Sequence, residues 1–181
     1  MSLKPKDPLL SLGKGLTYFM QGVMAIAFAA LLVAVPVLII WQDDIAAELA
    51  SELGQQAAAF PLWPAVSVLL LAAIAIAMVF VFFGRLRHII ATVGEGDPFV
   101  PENAERLTAM AWLLLGVQLL SIPIGGIGLM VARWADEVGH EDITIDAGLD
   151  ITGLLMVVVL FILARVFRHG AAMREDLEGT V

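Results

Sequence analysis

The sequence contains no cysteine, and only 15% of its 181 residues are charged. Without cysteine the chain cannot be a disulfide-linked scaffold, an iron–sulfur protein or a zinc protein with thiolate ligands. Soluble domains contain about 25% charged and about 45–50% apolar residues, whereas 60% of this chain is hydrophobic. In water, a protein of this size and composition would expose large apolar patches. The composition therefore excludes a soluble enzyme and a disordered chain, and it favours an integral membrane protein.

Basic residues are also scarce: the sequence has 10 lysines and arginines against 18 acidic residues, which gives a net charge of −8. This balance argues against direct nucleic-acid binding. The sequence has no P-loop, no His-Glu-x-x-His and no nucleophile elbow. No charged residue or histidine lies near the middle of its apolar runs, where proton relays and ion pathways usually need one. We therefore expect a non-enzymatic protein without a cofactor or metal, and not an ion pump.

Four apolar stretches are long enough to form transmembrane helices, which need roughly 20 residues each. They cover residues 16–41, 61–84, 107–132 and 148–167. The first three contain no charged residue, and the fourth includes Asp150 and Arg165 near its ends, where the arginine can extend to the headgroups. The predicted fold is all-α: a single transmembrane domain, residues 1–181, that forms a four-helix bundle.

The positive charges are distributed unevenly between the two ends of these predicted spans. One end carries nine of the 10 basic residues: Lys4, Lys6, Lys14, Arg85, Arg87, Arg106, Arg165, Arg168 and Arg174. The other end has Arg133 as its single basic residue and is otherwise acidic. Because cytoplasmic loops are enriched in lysine and arginine, we expect both termini to be cytoplasmic.

The connection between the first two spans has a helical pattern of apolar and acidic residues. Two stripes run in parallel along it: Ile45, Leu49 and Leu53, and Asp44, Glu48 and Glu52. This spacing predicts a short amphipathic helix that ends at Gly54. Such a helix would either dock a partner or cover the outer end of the bundle.

The connection between the second and third spans is rich in turn residues. Gly94 and Gly96 are expected to end one helix, Asp97-Pro98 favours a turn, and Pro101 suits the first turn of the next helix. Phe99 can lie at the level of the headgroups. The segment is either a helix–turn–helix connection or part of a cytoplasmic contact surface.

Two motifs in the cytoplasmic segments resemble a known family. Residues 96–99 (Gly-Asp-Pro-Phe), with Asn103, Arg106 and Leu107, are similar to the G-x-P-F-x-x-x-N-x-x-R-L motif of the bacterial membrane family called domain of unknown function 2975. Residues 167–181 resemble that family's F-R-x-G…L-R-E-D-x-E-x-T-V ending. The resemblance implies a multi-pass protein of the bacterial inner membrane, without catalytic residues, that is often encoded beside a small helix-turn-helix regulator.

The distinctive residues of these motifs form a candidate cytoplasmic contact surface: Phe99, Asn103, Arg106, Arg168, His169, Arg174, Glu175 and Asp176. The leading hypothesis is a sensor or membrane anchor that holds a cytoplasmic helix-turn-helix regulator at the lipid bilayer. Alternatively, the same residues stabilise that end of the bundle.

Two other functions remain open from the sequence. A small transporter or channel could use Gln118 and the Pro–Gly-rich residues 123–128, since such segments interrupt helices that line substrate sites; they also produce kinks and close helix packing. That site would lie at an oligomer interface, because four helices enclose little space. Alternatively, His88 and His169 could ligate a haem, or they could contact headgroups and helix ends.

A candidate clamp lies at the outer end of the predicted bundle. Arg133 ends the third span, and Asp146 and Asp150 are four residues apart at the start of the fourth. An ion pair between Arg133 and these carboxylates would hold the two helices together, and ligand binding is the alternative role.

Overall fold

A computed structural model of the protein describes residues 8–53, 60–137 and 148–178. The chain forms five helices: α1 (Pro8–Ile40), α2 (Gln42–Leu53), α3 (Leu62–Glu95), α4 (Pro101–Glu137) and α5 (Ile151–Glu178). The described residues contain no strand. The helices α1, α3, α4 and α5 are long and apolar enough to cross a membrane. The predicted all-α fold with four long apolar helices, as in a four-helix transmembrane bundle, is confirmed.

The long helices extend beyond the apolar runs that predict them. α3 has 34 residues and is about 50 Å long, whereas the hydrocarbon core of a bilayer is about 30 Å thick. In lipid each backbone group must find a partner inside the protein, and a helix provides these partners within the uncharged residues 61–84 themselves. α4 contains Pro123 but continues as one helix across residues 123–128, so this segment does not separate into two half-helices.

The amphipathic helix predicted between the first two spans is present as α2. Ile45 and Leu49 are half-buried, while Asp44 and Glu48 are exposed, so the helix turns its apolar stripe towards the protein. The predicted end at Gly54 lies outside the described residues.

The turn between α3 and α4 begins with a glycine in the left-handed region. Gly96 has φ 87°. Its N–H donates to Val93 O at 3.1 Å, and the N–H of Asp97 donates to Thr92 O at 3.0 Å. These two bonds form the Schellman motif, which satisfies the last carbonyl groups of a helix. Any side chain at position 96 would strain the backbone, so the glycine is required where the sequence predicts the helix end.

α5 begins immediately after an acidic cap. Both carboxylate oxygens of Asp150 accept backbone hydrogen bonds, from Thr152 N–H at 3.0 Å and Gly153 N–H at 2.8 Å. A carboxylate at this position pairs N–H groups that have no partner within the helix and interacts favourably with the helix dipole. The cap explains why α5 starts at Ile151 rather than at residue 148.

The chain divides into two compact units, and unit 1 contains residues 8–25, 77–117 and 150–178 of the described chain. Its core is formed by α3, α4 and α5 through Ile89, Leu107, Met110, Ala111, Leu160 and Ala164. Met110 and Ala111 are almost completely buried. Small residues at positions 111 and 164 allow close helix approach.

The contact between α1 and α3 in unit 1 includes polar groups. Gln21 is buried, and its Nε2 donates to the backbone carbonyl of Phe80 at 3.3 Å. A Cβ atom at Gly84 would lie only 3.1 Å from this nitrogen, so the glycine leaves room for the amide. The guanidinium of Arg87 lies 4.7 Å from the centre of the Tyr18 ring, which is a cation–π contact.

Unit 2 contains residues 26–53, 60–76, 118–137 and 148–149 of the described chain. Its buried residues on α4 are Gln118 and four small residues at helical spacing: Gly125, Gly128, Ala132 and Ala135. The rings of Phe60 and Trp134 meet edge to face at 5.1 Å. Ser121 Oγ contacts the carbonyl oxygens of Gln118 at 2.6 Å and Gly148 at 3.3 Å. The Pro–Gly-rich segment therefore belongs to a packed helix.

Candidate functional site

The side chain of Asn103 joins three parts of unit 1. Its Nδ2 donates to Thr92 Oγ1 near the end of α3 (2.7 Å) and to the carbonyl of Pro98 in the turn (2.9 Å). Its Oδ1 accepts a 2.7 Å hydrogen bond from Arg106 Nη1 on α4. The residue is 0% exposed, so its own ends of the three bonds are shielded from water. This network fixes the turn, residues 96–100, against both helices that it connects.

A second set of contacts ties this turn to α5. The Arg174 guanidinium pairs with the Asp97 carboxylate, and the rings of Phe99 and Phe167 are 5.4 Å apart. The Phe99 ring also lies against Gly170, where a Cβ atom would be 2.6 Å from its Cδ1. Because the ion pair is partly exposed, its own contribution is small; the close packing of the ring on Gly170 contributes more.

These contacts separate the candidate contact surface into two groups. Asn103 is fully buried, so it lies beneath any contact surface, and Arg106 is half-buried against it. Phe99 and Arg174 are exposed but bind the protein's own α5 and turn. The described contacts of these four residues are internal, as expected if they stabilise this end of the bundle, and their part in a contact surface stays a prediction. The remaining candidates lie on α5.

The C-terminal part of α5 presents an exposed face, which we call the polar face: Arg168, Ala172, Glu175 and Asp176. The spacing of four, three and one residues places them on one side of a helix. Phe167, Ala171 and Arg174 have the same spacing on a different side, which includes the contacts with the turn. The polar face is therefore held in a defined position while it stays accessible to solvent.

Two pockets flank Phe99 in unit 1. One has a volume of about 380 Å³ and is lined by Phe99, Arg165, Val166, His169, Gly170 and Met173. The other has a volume of about 280 Å³, and its walls include Asp97, Arg174 and Glu175. The first combines apolar walls with two nitrogen-bearing side chains, whereas the second has charges of both signs.

The two histidines considered as haem ligands are both exposed. His88 Nδ1 lies 2.7 Å from the carbonyl oxygen of Gly84, one turn earlier in α3, and His169 lines the larger pocket. Across residues 8–53, 60–137 and 148–178, no group of three or more His, Cys, Asp or Glu is arranged to hold a metal ion. Haem ligation by these two side chains stays a hypothesis.

The candidate outer clamp also stays a prediction. Arg133 is exposed near the end of α4, and Asp146 lies outside the described residues. Asp150 has a role that the spacing of charges did not indicate, because its carboxylate caps α5.

Sequence reasoning missed Thr92 and Asp97 as partners. Thr92 is a polar residue in the otherwise apolar run 89–93, and that isolated hydroxyl was the available signal. Asp97 was interpreted as a turn residue, and its partner Arg174 is 77 positions away. Nothing in the local pattern indicates that pairing.

The helices and the packed turn define a multi-pass helical membrane protein. The chain belongs to the family described as "Protein of unknown function (DUF2975)", whose sequence model matches residues 45–181. The matched region includes the turn, Asn103 and the whole of α5. No curated protein and no solved structure matches the chain.

Proposed function

We propose that this protein is a non-enzymatic anchor of the bacterial inner membrane that holds a cytoplasmic helix-turn-helix regulator on the polar face of α5. The observation that carries the proposal is the rigid support of an exposed helix. Residues 165–178 continue α5 for about four turns past its uncharged run, and the turn packs against this segment through Phe99 and Asp97. An isolated helix of this length is marginal in water, so the packing keeps the polar face in a defined conformation.

The chemistry of the polar face supports a protein partner. Arg168 and Glu175 lie two turns apart with Ala172 between them, so a small residue is flanked by charges of opposite sign. Charged groups of this kind select partners by electrostatic complementarity. The family resemblance supplies the class of partner, since relatives are often encoded beside a small helix-turn-helix protein.

We predict that the polar face is cytoplasmic and that α2 is on the other side of the membrane. The chain has no cysteine, so Ala172→Cys and Ala47→Cys each introduce one thiol at an exposed helical position. In intact spheroplasts, a membrane-impermeant maleimide should label Ala47→Cys and leave Ala172→Cys unlabelled, because basic segments remain in the cytoplasm. After permeabilisation both should be labelled. Labelling of Ala172→Cys in intact spheroplasts would contradict the orientation.

We further predict that a charge in the middle of the polar face releases the regulator. The full-length protein is purified in mild detergent together with the product of the adjoining helix-turn-helix gene. Ala172→Glu should reduce recovery of the regulator roughly tenfold, because a long side chain would replace a small one at the centre of the face and its carboxylate could pair with Arg168, one turn earlier. This single substitution keeps Arg174 and its contact with Asp97.

The matched control is Ala47→Glu, an exposed alanine on α2. It should leave recovery of the regulator unchanged, and both variants should melt at the temperature of the unmodified protein. Absence of the regulator from the unmodified preparation would refute the proposal. Equal recovery with Ala172→Glu would exclude the polar face as its binding site.

A further inference from the structure

A pocket of about 380 Å³ lies between the Phe99 ring and the side of α5 that carries Val166 and Met173. We propose that this pocket binds the headgroup of an anionic glycerophospholipid. The pocket adjoins the polar face, because Arg165 and His169 precede Ala172 and Asp176 by seven residues each, or about two helical turns. The proposal does not depend on a helix-turn-helix partner.

The pocket carries two side chains that suit a phosphate diester. Arg165 and His169 are four residues apart on α5, so they project from the same side of the helix one turn apart. The guanidinium of arginine can donate two parallel hydrogen bonds to phosphate oxygens, and a histidine ring N–H provides another donor. The described residues that line this pocket include no carboxylate.

The smaller pocket on the other side of Phe99 provides the contrast. Its walls include the carboxylates of Asp97 and Glu175, which would repel an anion. Its arginine, Arg174, already pairs with Asp97. Of these two pockets, the larger one is therefore suited to a phosphate group.

An exposed apolar stripe leads along α5 to the same pocket. It consists of Leu155, Val159, Ile162 and Val166, with exposed fractions of 63%, 39%, 57% and 54%. The spacing of four, three and four residues keeps these side chains on one side of the helix, and Val166 also forms part of the pocket wall. An acyl chain can lie along this stripe while the phosphate of the same molecule contacts Arg165.

The position of the pocket along the helix favours a lipid over a soluble anion. Arg165 is the first charged residue after the uncharged run 151–164, so the pocket begins where the hydrocarbon core of a bilayer would end. Basic pockets at this depth, between or beside transmembrane helices, bind anionic lipid headgroups. A free phosphate would satisfy Arg165 and His169 but would leave the stripe and the apolar walls without a ligand group.

The test compares lipids with identical acyl chains and different headgroups. Native mass spectrometry of the full-length protein in detergent measures binding of dioleoyl-phosphatidylglycerol and dioleoyl-phosphatidylcholine. The unmodified protein should bind phosphatidylglycerol about tenfold more tightly than phosphatidylcholine. The double variant Arg165→Gln/His169→Gln should lose this preference. The control Arg168→Gln/His88→Gln, which removes the same two residue types from outside the pocket, should retain it.

A second variant separates the loss of the site from a loss of charge or of folding. Met173→Trp should fill the pocket while Arg165 and His169 remain, and it should also abolish the preference for phosphatidylglycerol. Equal affinity of the unmodified protein for the two lipids would overturn the proposal, as would loss of the preference in the Arg168→Gln/His88→Gln control. Displacement of phosphatidylglycerol by an equal concentration of inorganic phosphate would assign the pocket to a soluble anion and overturn the lipid assignment.

Discussion

Asn103→Ala is expected to lower the free energy of unfolding by about 3 kcal/mol. The substitution removes three hydrogen bonds of a side chain that is 0% exposed. The Pro98 carbonyl loses its donor and the Arg106 guanidinium loses its acceptor, while the Thr92 hydroxyl keeps its bond to the Ile89 carbonyl at 2.9 Å. Buried groups that lose their partners cost more than the bonds themselves contribute. Thermal unfolding of the purified protein in detergent measures the change.

Glu105→Ala is the matched control for this experiment, because Glu105 is on the same helix and exposed. Its effect should stay within about 0.5 kcal/mol. Asn103→Asp provides a sharper comparison, since it keeps the acceptor for Arg106 but turns a carboxylate oxygen towards the carbonyl of Pro98. It should be destabilised like Asn103→Ala. If both Asn103 variants unfold at the same temperature as Glu105→Ala, the network does not hold the turn.

The long helices could be predicted because lipid leaves the backbone few options. Each uncharged run must pair its own N–H and C=O groups, so hydropathy alone located α1, α3, α4 and most of α5. The end of α3 could also be predicted from the sequence, since Gly96 before Asp97-Pro98 is a strong local signal, and the glycine does have positive φ. The start of α5 could not be predicted, because hydropathy does not reveal that the Asp150 carboxylate caps the helix.

The candidate site was harder to predict, although its residues were found. Asn103, Phe99 and Arg174 belong to the motifs that resemble the family, but a motif does not distinguish an internal contact from a contact with another protein. Burial makes that distinction: Asn103 is enclosed, while Arg168 and Glu175 are exposed. The motif residues in the turn thus keep α5 in place.

The sequence patterns could not predict the contacts between distant segments. The Asp97–Arg174 pair spans 77 positions, and the Gln21–Phe80 hydrogen bond spans 59. Both depend on how helices align lengthwise, which hydropathy does not determine. The contact between Gly84 and Gln21 could not be predicted for the same reason. The sequence does not show which side chain packs against a glycine in an apolar run.

Gly170→Ala is expected to displace the turn from α5 and to lower the free energy of unfolding by about 2 kcal/mol. The new Cβ atom would lie 2.6 Å from Cδ1 and 2.9 Å from Cε1 of Phe99, which is closer than van der Waals contact allows. The ring can avoid the Cβ atom only by turning into one of the flanking pockets. That movement would disturb its contact with Phe167. Gly22→Ala on α1 is the control: no atom lies within 4 Å of its Cβ position, and alanine favours the helix.

A double-mutant cycle identifies the cause of this loss. Phe99→Ala removes the ring that the Cβ atom would strike. Adding Gly170→Ala to Phe99→Ala should therefore lower the free energy of unfolding by about 0.5 kcal/mol at most. The coupling energy should therefore be roughly 1.5 kcal/mol or more, as measured by thermal unfolding of the four proteins. If the two effects are additive, the ring does not rest on Gly170. If they are coupled as expected, the polar face of α5 and the pocket beside Phe99 share one support, and Gly170→Ala should weaken both regulator recovery and phosphatidylglycerol binding.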